Sequence, residues 1–243
     1  MHNTSKGYRR FKSRIEYFQD DLETIAVILK NKEILAGEDK IFKSVSETRQ
    51  PRLFKRQNSP GSREVVLRHM QNSFFVSVIK DMYEEVLMYC EYATDCAAQT
   101  STEVNRLVGE QNLNFSANDI LSKVGKKEIV SMVMSRIFRA IENKKNTLLL
   151  VSFLNDRLNL GVSEDIINEA MPYLEARHKF IHADGLADEK YKSYFPNIEL
   201  TDDGYIKLNI TVIRKAMTAI KKLVYEYEIK MKANNLFPSN EYE

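Results

Sequence analysis

The sequence has no tryptophan, only 2 cysteines, 5 prolines and 8 glycines in 243 residues. Each scarcity closes a class. Cys90 and Cys96 lack C-x-x-C spacing and no second pair accompanies them, which leaves a disulfide framework and a Cys-rich zinc site unsupported. So few helix breakers disfavour a β-fold with many tight turns and suit long helices. No apolar run approaches the roughly 20 residues of a membrane span, and Met1 to Arg14 is polar and basic, unlike a signal peptide. Charge of one sign is also lacking, since the net charge is +2. These absences are read as a cytoplasmic protein in a reducing compartment.

What is present is helical periodicity. Ile15, Phe18, Leu22, Ile25, Ile28 and Leu29 predict a helix over about 13–36. A second is predicted over about 62–94, with Val65, Val66, Met70, Phe74, Val78, Met82, Val86, Leu87 and Cys90 as its stripe. Residues 95–116 are polar and carry no assignment. Ser116 followed by Asp119 has the pattern of a capping box. Further helices are expected over 126–143, from 147 to Gly161, and from Ser163 onward, where Pro172 either kinks one helix or begins a new one. The last is expected over 211–232, with a small hairpin at the Asp202-Asp203-Gly204 turn before it. The expected fold is all-α. It divides into an N-terminal helix and basic linker (1–58), a helical domain (59–232) and a polar tail (233–243). In the linker, Lys40, Lys43, Arg49, Arg52, Lys55 and Arg56 stand against Glu47 alone. They make Lys55 and Arg56 candidates for RNA phosphates, with a solvated linker as the plain alternative.

Only one segment concentrates catalytic residue types: Glu175-Ala176-Arg177-His178-Lys179-Phe180-Ile181-His182-Ala183-Asp184-Gly185. An arginine offers a planar fork of donors matched to phosphate oxygens. A histidine exchanges a proton near neutral pH. Together they suffice to cleave RNA without a metal. Imidazole takes the 2′-hydroxyl proton, guanidinium stabilises the charge on phosphorus, and the products carry a 2′,3′-cyclic phosphate and a 5′-hydroxyl.

Helical geometry complicates this. Residues five apart are rotated by about 140°, which separates Arg177 from His182, whereas His178 and His182 share a face. Either the helix ends near His182 and that side chain turns back, or two subunits complete each other's site; the second is favoured because one motif supplies few groups. His178 and His182 could alternatively ligate a metal, but no H-E-x-x-H pattern or third ligand accompanies them. For Arg177 the plain reading is a surface ion pair, and for His182 a residue favoured by a helix C-terminus.

Arg177, the polar His178, and His182 after four intervening residues resemble the signature of HEPN domains. The segment from Leu174 to Tyr191 and the long helix around Ser73 to Tyr92 are similar to the RiboL-PSP-like branch. The resemblance spans about 59–232 and implies a HEPN-like helical bundle, a homodimer with a composite site, and metal-independent endoribonuclease activity without a cofactor. It further implies a toxin–antitoxin, phage-defence or stress role with an antitoxin or regulatory partner. Arg177 and His182 match its catalytic pair and His178 its supporting residue. Lys179 is a candidate RNA contact beside them. The alternatives are a HEPN-like module that binds nucleotide, RNA or a partner protein without cleaving, or a helical scaffold in which the Arg–His segment is purely structural.

Overall fold

The computed structural model describes residues 4–30, 46–56, 60–100, 113–142 and 147–242, and it is an all-α bundle. Its elements are α1 (Lys6–Lys30), α2 (Pro51–Arg56), α3 (Pro60–Thr100), α4 (Ala117–Leu121), α5 (Lys126–Glu142), α6 (Thr147–Leu158), α7 (Glu164–His182), α8 (Glu189–Tyr194) and α9 (Ile210–Ala233). A 3-10 turn, Ser239–Tyr242, follows them. Among the described residues there is no strand, and no helix is long and apolar enough to cross a membrane.

The axis of the bundle is α3, at 41 residues about 60 Å long. It starts with Pro60 in the first turn, where a missing N–H costs nothing. It also runs past the boundary expected at Thr94, because Cys96, Ala97 and Ala98 continue its buried face. Helices α1, α5, α6, α7 and α9 all pack on it. One hydrophobic cluster results, containing Ile15 and Leu22 of α1, Phe75, Met82 and Tyr89 of α3, Ile137 of α5, Leu154 of α6, Leu174 of α7 and Tyr227 of α9.

Helix α1 begins at Lys6, earlier than its periodicity suggests, because Ser5 caps it. Ser5 Oγ accepts from Tyr8 N at 3.2 Å. Its residues Phe11, Ile15, Phe18 and Leu22 belong to the common core. The polar C-terminal segment also returns to the bundle: Phe237 is buried, Thr100 Oγ1 donates to Leu236 O at 2.9 Å, and Tyr92 Oη donates to Glu241.

Local sequence signals set the remaining ends. Ser116 Oγ accepts from Asp119 N at 3.1 Å and Asp119 Oδ2 from Ser116 N at 3.0 Å, the reciprocal capping box. Ser163 caps α7 by accepting from Asp165 N at 3.2 Å. One continuous helix spans Pro172, so Pro172 begins no new helix. The hairpin at Asp202–Gly204 reduces to isolated bridges, Leu200 opposite Ile206 and Leu186 opposite Tyr205. Asn209 already caps α9 and leaves too few residues for a ladder.

The exit from α7 is tight. Asp184 (φ 48°) and Gly185 (φ 88°) are both left-handed, and Gly185 N donates back to Lys179 O at 3.0 Å. A Cβ on Gly185 would lie 2.6 Å from the Phe180 ring. Gly185→Ala is therefore expected to cost about 1–3 kcal/mol, from backbone strain and displacement of a core aromatic. A Tm equal to that of the wild type would refute this account of the turn.

Candidate functional site

The Arg–His segment occupies the last two turns of α7, and its residues divide between two sides of that helix. Ala176 and Phe180 are buried in the bundle. Arg177 leans on α3. Its Nη2 donates to Glu84 Oε1 at 3.0 Å, and its Cζ sits 4.4 Å over the Tyr83 ring. The Arg177 side chain keeps 27% of its surface exposed and that of Glu84 49%. The Arg177 Nε is buried and has no hydrogen-bond partner among the described residues. Such an orphaned charged donor is costly, and an incoming acceptor would satisfy it only once the Arg177 side chain turns outward from α3.

His178 and His182, one turn apart, form a ring pair with centroids 4.6 Å apart, inclined at 56°. His178 is half-buried and His182 exposed. Burial holds the His178 pKa below its ordinary value, reinforced by His182, with Lys179 and Arg177 acting in the same sense and Glu175 opposing. At neutral pH His178 is consequently a neutral imidazole with one acceptor nitrogen. His182 is the last residue of α7.

Lys179 is placed differently from an open phosphate contact. Its Nζ donates to Asp188 Oδ2 at 2.7 Å, lies 5.8 Å from the Tyr191 ring centroid, and leaves only 15% of the side chain exposed. Asp188 in turn caps α8 by accepting from Tyr191 N at 2.8 Å. The Lys179 ammonium and this backbone bond hold the Asp188 carboxyl below the usual carboxylate range. Lys55 is exposed on α2; the Arg56 side chain, like Lys40 and Lys43, lies outside the described residues.

The structure thus brings His178 and His182 together, and it anchors Arg177 on the neighbouring helix. Sequence reading did not find Glu84, Tyr83 or Asp188. Glu84 is 93 residues from Arg177, and nothing in its local pattern marks it as a partner. Nucleophilic thiol chemistry has no support, because burial pushes both the Cys90 and Cys96 thiols up to about 12. Among the described residues, no group of three His, Cys, Asp or Glu is placed to hold a metal ion. Compared with protein-family models, with curated proteins and with solved structures, the chain finds no match, so its site stands on its own geometry.

Proposed function

We propose that the protein is a metal-independent endoribonuclease of HEPN type, acting through Arg177, His178 and His182. The observation that carries the reading is the Nε of Arg177, a buried guanidinium donor without a partner among the described residues, on the helix end that also carries a half-buried and an exposed imidazole in contact. In the reaction, the 2′-oxygen attacks phosphorus as an imidazole takes its proton. The phosphorus–5′-oxygen bond breaks, the 5′-oxygen collects a proton, and a cyclic phosphate remains. The guanidinium stabilises the extra negative charge on the phosphorane. Arg177 faces α3 while His182 faces solvent, an arrangement that suits a homodimer in which each subunit completes the other's site. A toxin, phage-defence or stress role, and an antitoxin partner, follow from the same resemblance.

The test is cleavage of single-stranded RNA by the full chain with excess chelator. The expected result is undiminished cleavage, with cyclic phosphate and 5′-hydroxyl ends. If His178 rather than His182 takes the 2′-hydroxyl proton, the acid limb of the rate profile should lie below about pH 6.5, because burial lowers the His178 pKa. Loss of cleavage on chelation, or products with 5′-phosphate ends, would sink the mechanism.

A second reading has its own observation. The Nη2 of Arg177 already holds Glu84, as a clamp between α7 and α3 would require. In that case the protein is a HEPN-like module that binds RNA, nucleotide or a partner without cutting it, or a helical scaffold in which the segment is purely structural.

A further inference from the structure

Away from the Arg–His segment, α5, the residues just before it and the end of α3 border an open, shallow cleft of about 560 Å³. Its lining carries four cations, Lys123, Lys127, Arg136 and Arg139, and one acid, Glu128. Glu128 is turned to the backbone, its Oε2 accepting from Val124 N at 3.2 Å.

The cations differ in their restraint. Arg136 is fixed as a wall: Nη2 donates to Asp119 Oδ2 at 2.7 Å, Nη1 to Asn114 O, and its Cζ lies 4.5 Å over the Phe115 ring. Lys123, Lys127 and Arg139, by contrast, have no ion pair among the described residues. Lys127 and Arg139 both line the cleft from α5, twelve residues or about 18 Å apart along its axis, a length over which a nucleic-acid strand presents several phosphates. The N-terminal end of α5 also opens beside Lys123 and Lys127, which adds the positive end of a helix dipole.

We propose that this cleft seats the phosphate backbone of single-stranded RNA. The proposal rests on the ribonuclease reading for its choice of polymer and assigns the binding to residues separate from the cleavage residues. An open depression whose cations Lys123, Lys127 and Arg139 have no ion pair among the described residues suits a polyanionic strand laid across it. A lipid surface, which the exposed Leu121 and Val124 nearby would also meet, is the competing outcome that the vesicle arm of the experiment separates.

The experiment uses the full chain and a fluorescent 2′-O-methyl RNA of about 20 nucleotides, which cannot undergo 2′-hydroxyl attack. Fluorescence anisotropy is recorded from low to moderate salt. The Lys123→Glu/Lys127→Glu/Arg139→Glu variant should bind at least about 10-fold more weakly, and its log–log salt slope should be shallower by about 2. The Lys123→Gln/Lys127→Gln/Arg139→Gln variant, which avoids charge reversal, should fall between them, with the wild-type circular dichroism spectrum. Equal affinity and slope in all three proteins overturn the proposal. So does salt-sensitive binding of the wild type to vesicles containing phosphatidylserine with none to the RNA. If the variants lose RNA binding while the wild type never cleaves ordinary RNA, the cleft stands and the ribonuclease reading falls; cleavage with unaltered binding gives the reverse.

Discussion

Replacing His182 by alanine should lower RNA cleavage by at least about 100-fold and leave the Tm unchanged. The side chain is exposed and its ring touches only His178 among the described aromatic contacts, so its removal opens no cavity. Arg177→Ala should cost about 10²–10³ in rate, the loss typical of a preorganised donor to transition-state charge. Glu84 separates catalysis from clamping. If Arg177 works on phosphate, Glu84→Gln removes a competing charge while keeping a hydrogen-bond acceptor, and cleavage by this variant should remain within a few-fold of wild type. If Arg177 is a clamp, Arg177→Ala and Glu84→Gln should lower stability together, and neither should change the rate of any RNA cleavage. Because Glu84 is about half exposed, screening keeps even that stability loss to a fraction of a kcal/mol. Cleavage by His182→Ala at the wild-type rate would remove the histidine from the mechanism.

Much of this layout was legible from local chemistry. Ser116, Ser163 and Gly185 act at the chain positions their residue types suggest, since caps and left-handed turns depend on a few neighbouring atoms. The helical rotation that parts Arg177 from His182 could likewise be read from their spacing, and Arg177 does lean on α3 while the histidines pair elsewhere. Long-range choices were not legible. Residues 95–100 read as polar, yet the buried small residues Ala97 and Ala98 let α3 continue against its neighbours. The C-terminal segment reads as a polar tail, but Phe237 docks it beside the Tyr92 ring of α3, joined by the Thr100–Leu236 and Tyr92–Glu241 hydrogen bonds. Glu84 was missed for the same reason. An ion pair across helices has no sequence period, and only the packing of α7 on α3 creates it.

The largest stability effect should come from Glu228→Ala, for reasons equally invisible in sequence. Glu228 is buried in α9 at 2% exposure, and its carboxylate accepts three hydrogen bonds. Ser5 N donates at 2.6 Å and Ser5 Oγ at 2.8 Å, while Tyr89 Oη donates at 3.1 Å. One side chain thus joins the first turn of α1, the middle of α3 and the end of α9. Its negative charge also faces the positive end of the α1 dipole. Burial, and then Glu228, push the Tyr89 hydroxyl well above its ordinary pKa, so it remains a donor across the accessible pH range. Truncation to alanine would strand a backbone N–H and two hydroxyls in the core, each costing about 1–3 kcal/mol if unsatisfied, and would leave a void. Partial relaxation brings the expected loss to about 3–5 kcal/mol, a large share of the stability of an ordinary domain. Glu228→Gln keeps one carbonyl acceptor but turns an amide donor toward other donors, so it should lose about half as much. Ser5→Ala removes one hydroxyl donor and keeps the backbone bond, and should cost about 1 kcal/mol. Urea denaturation of the three variants would reveal the order, and a Glu228→Ala protein within 1 kcal/mol of wild type would mean that α1 docks through its apolar face alone.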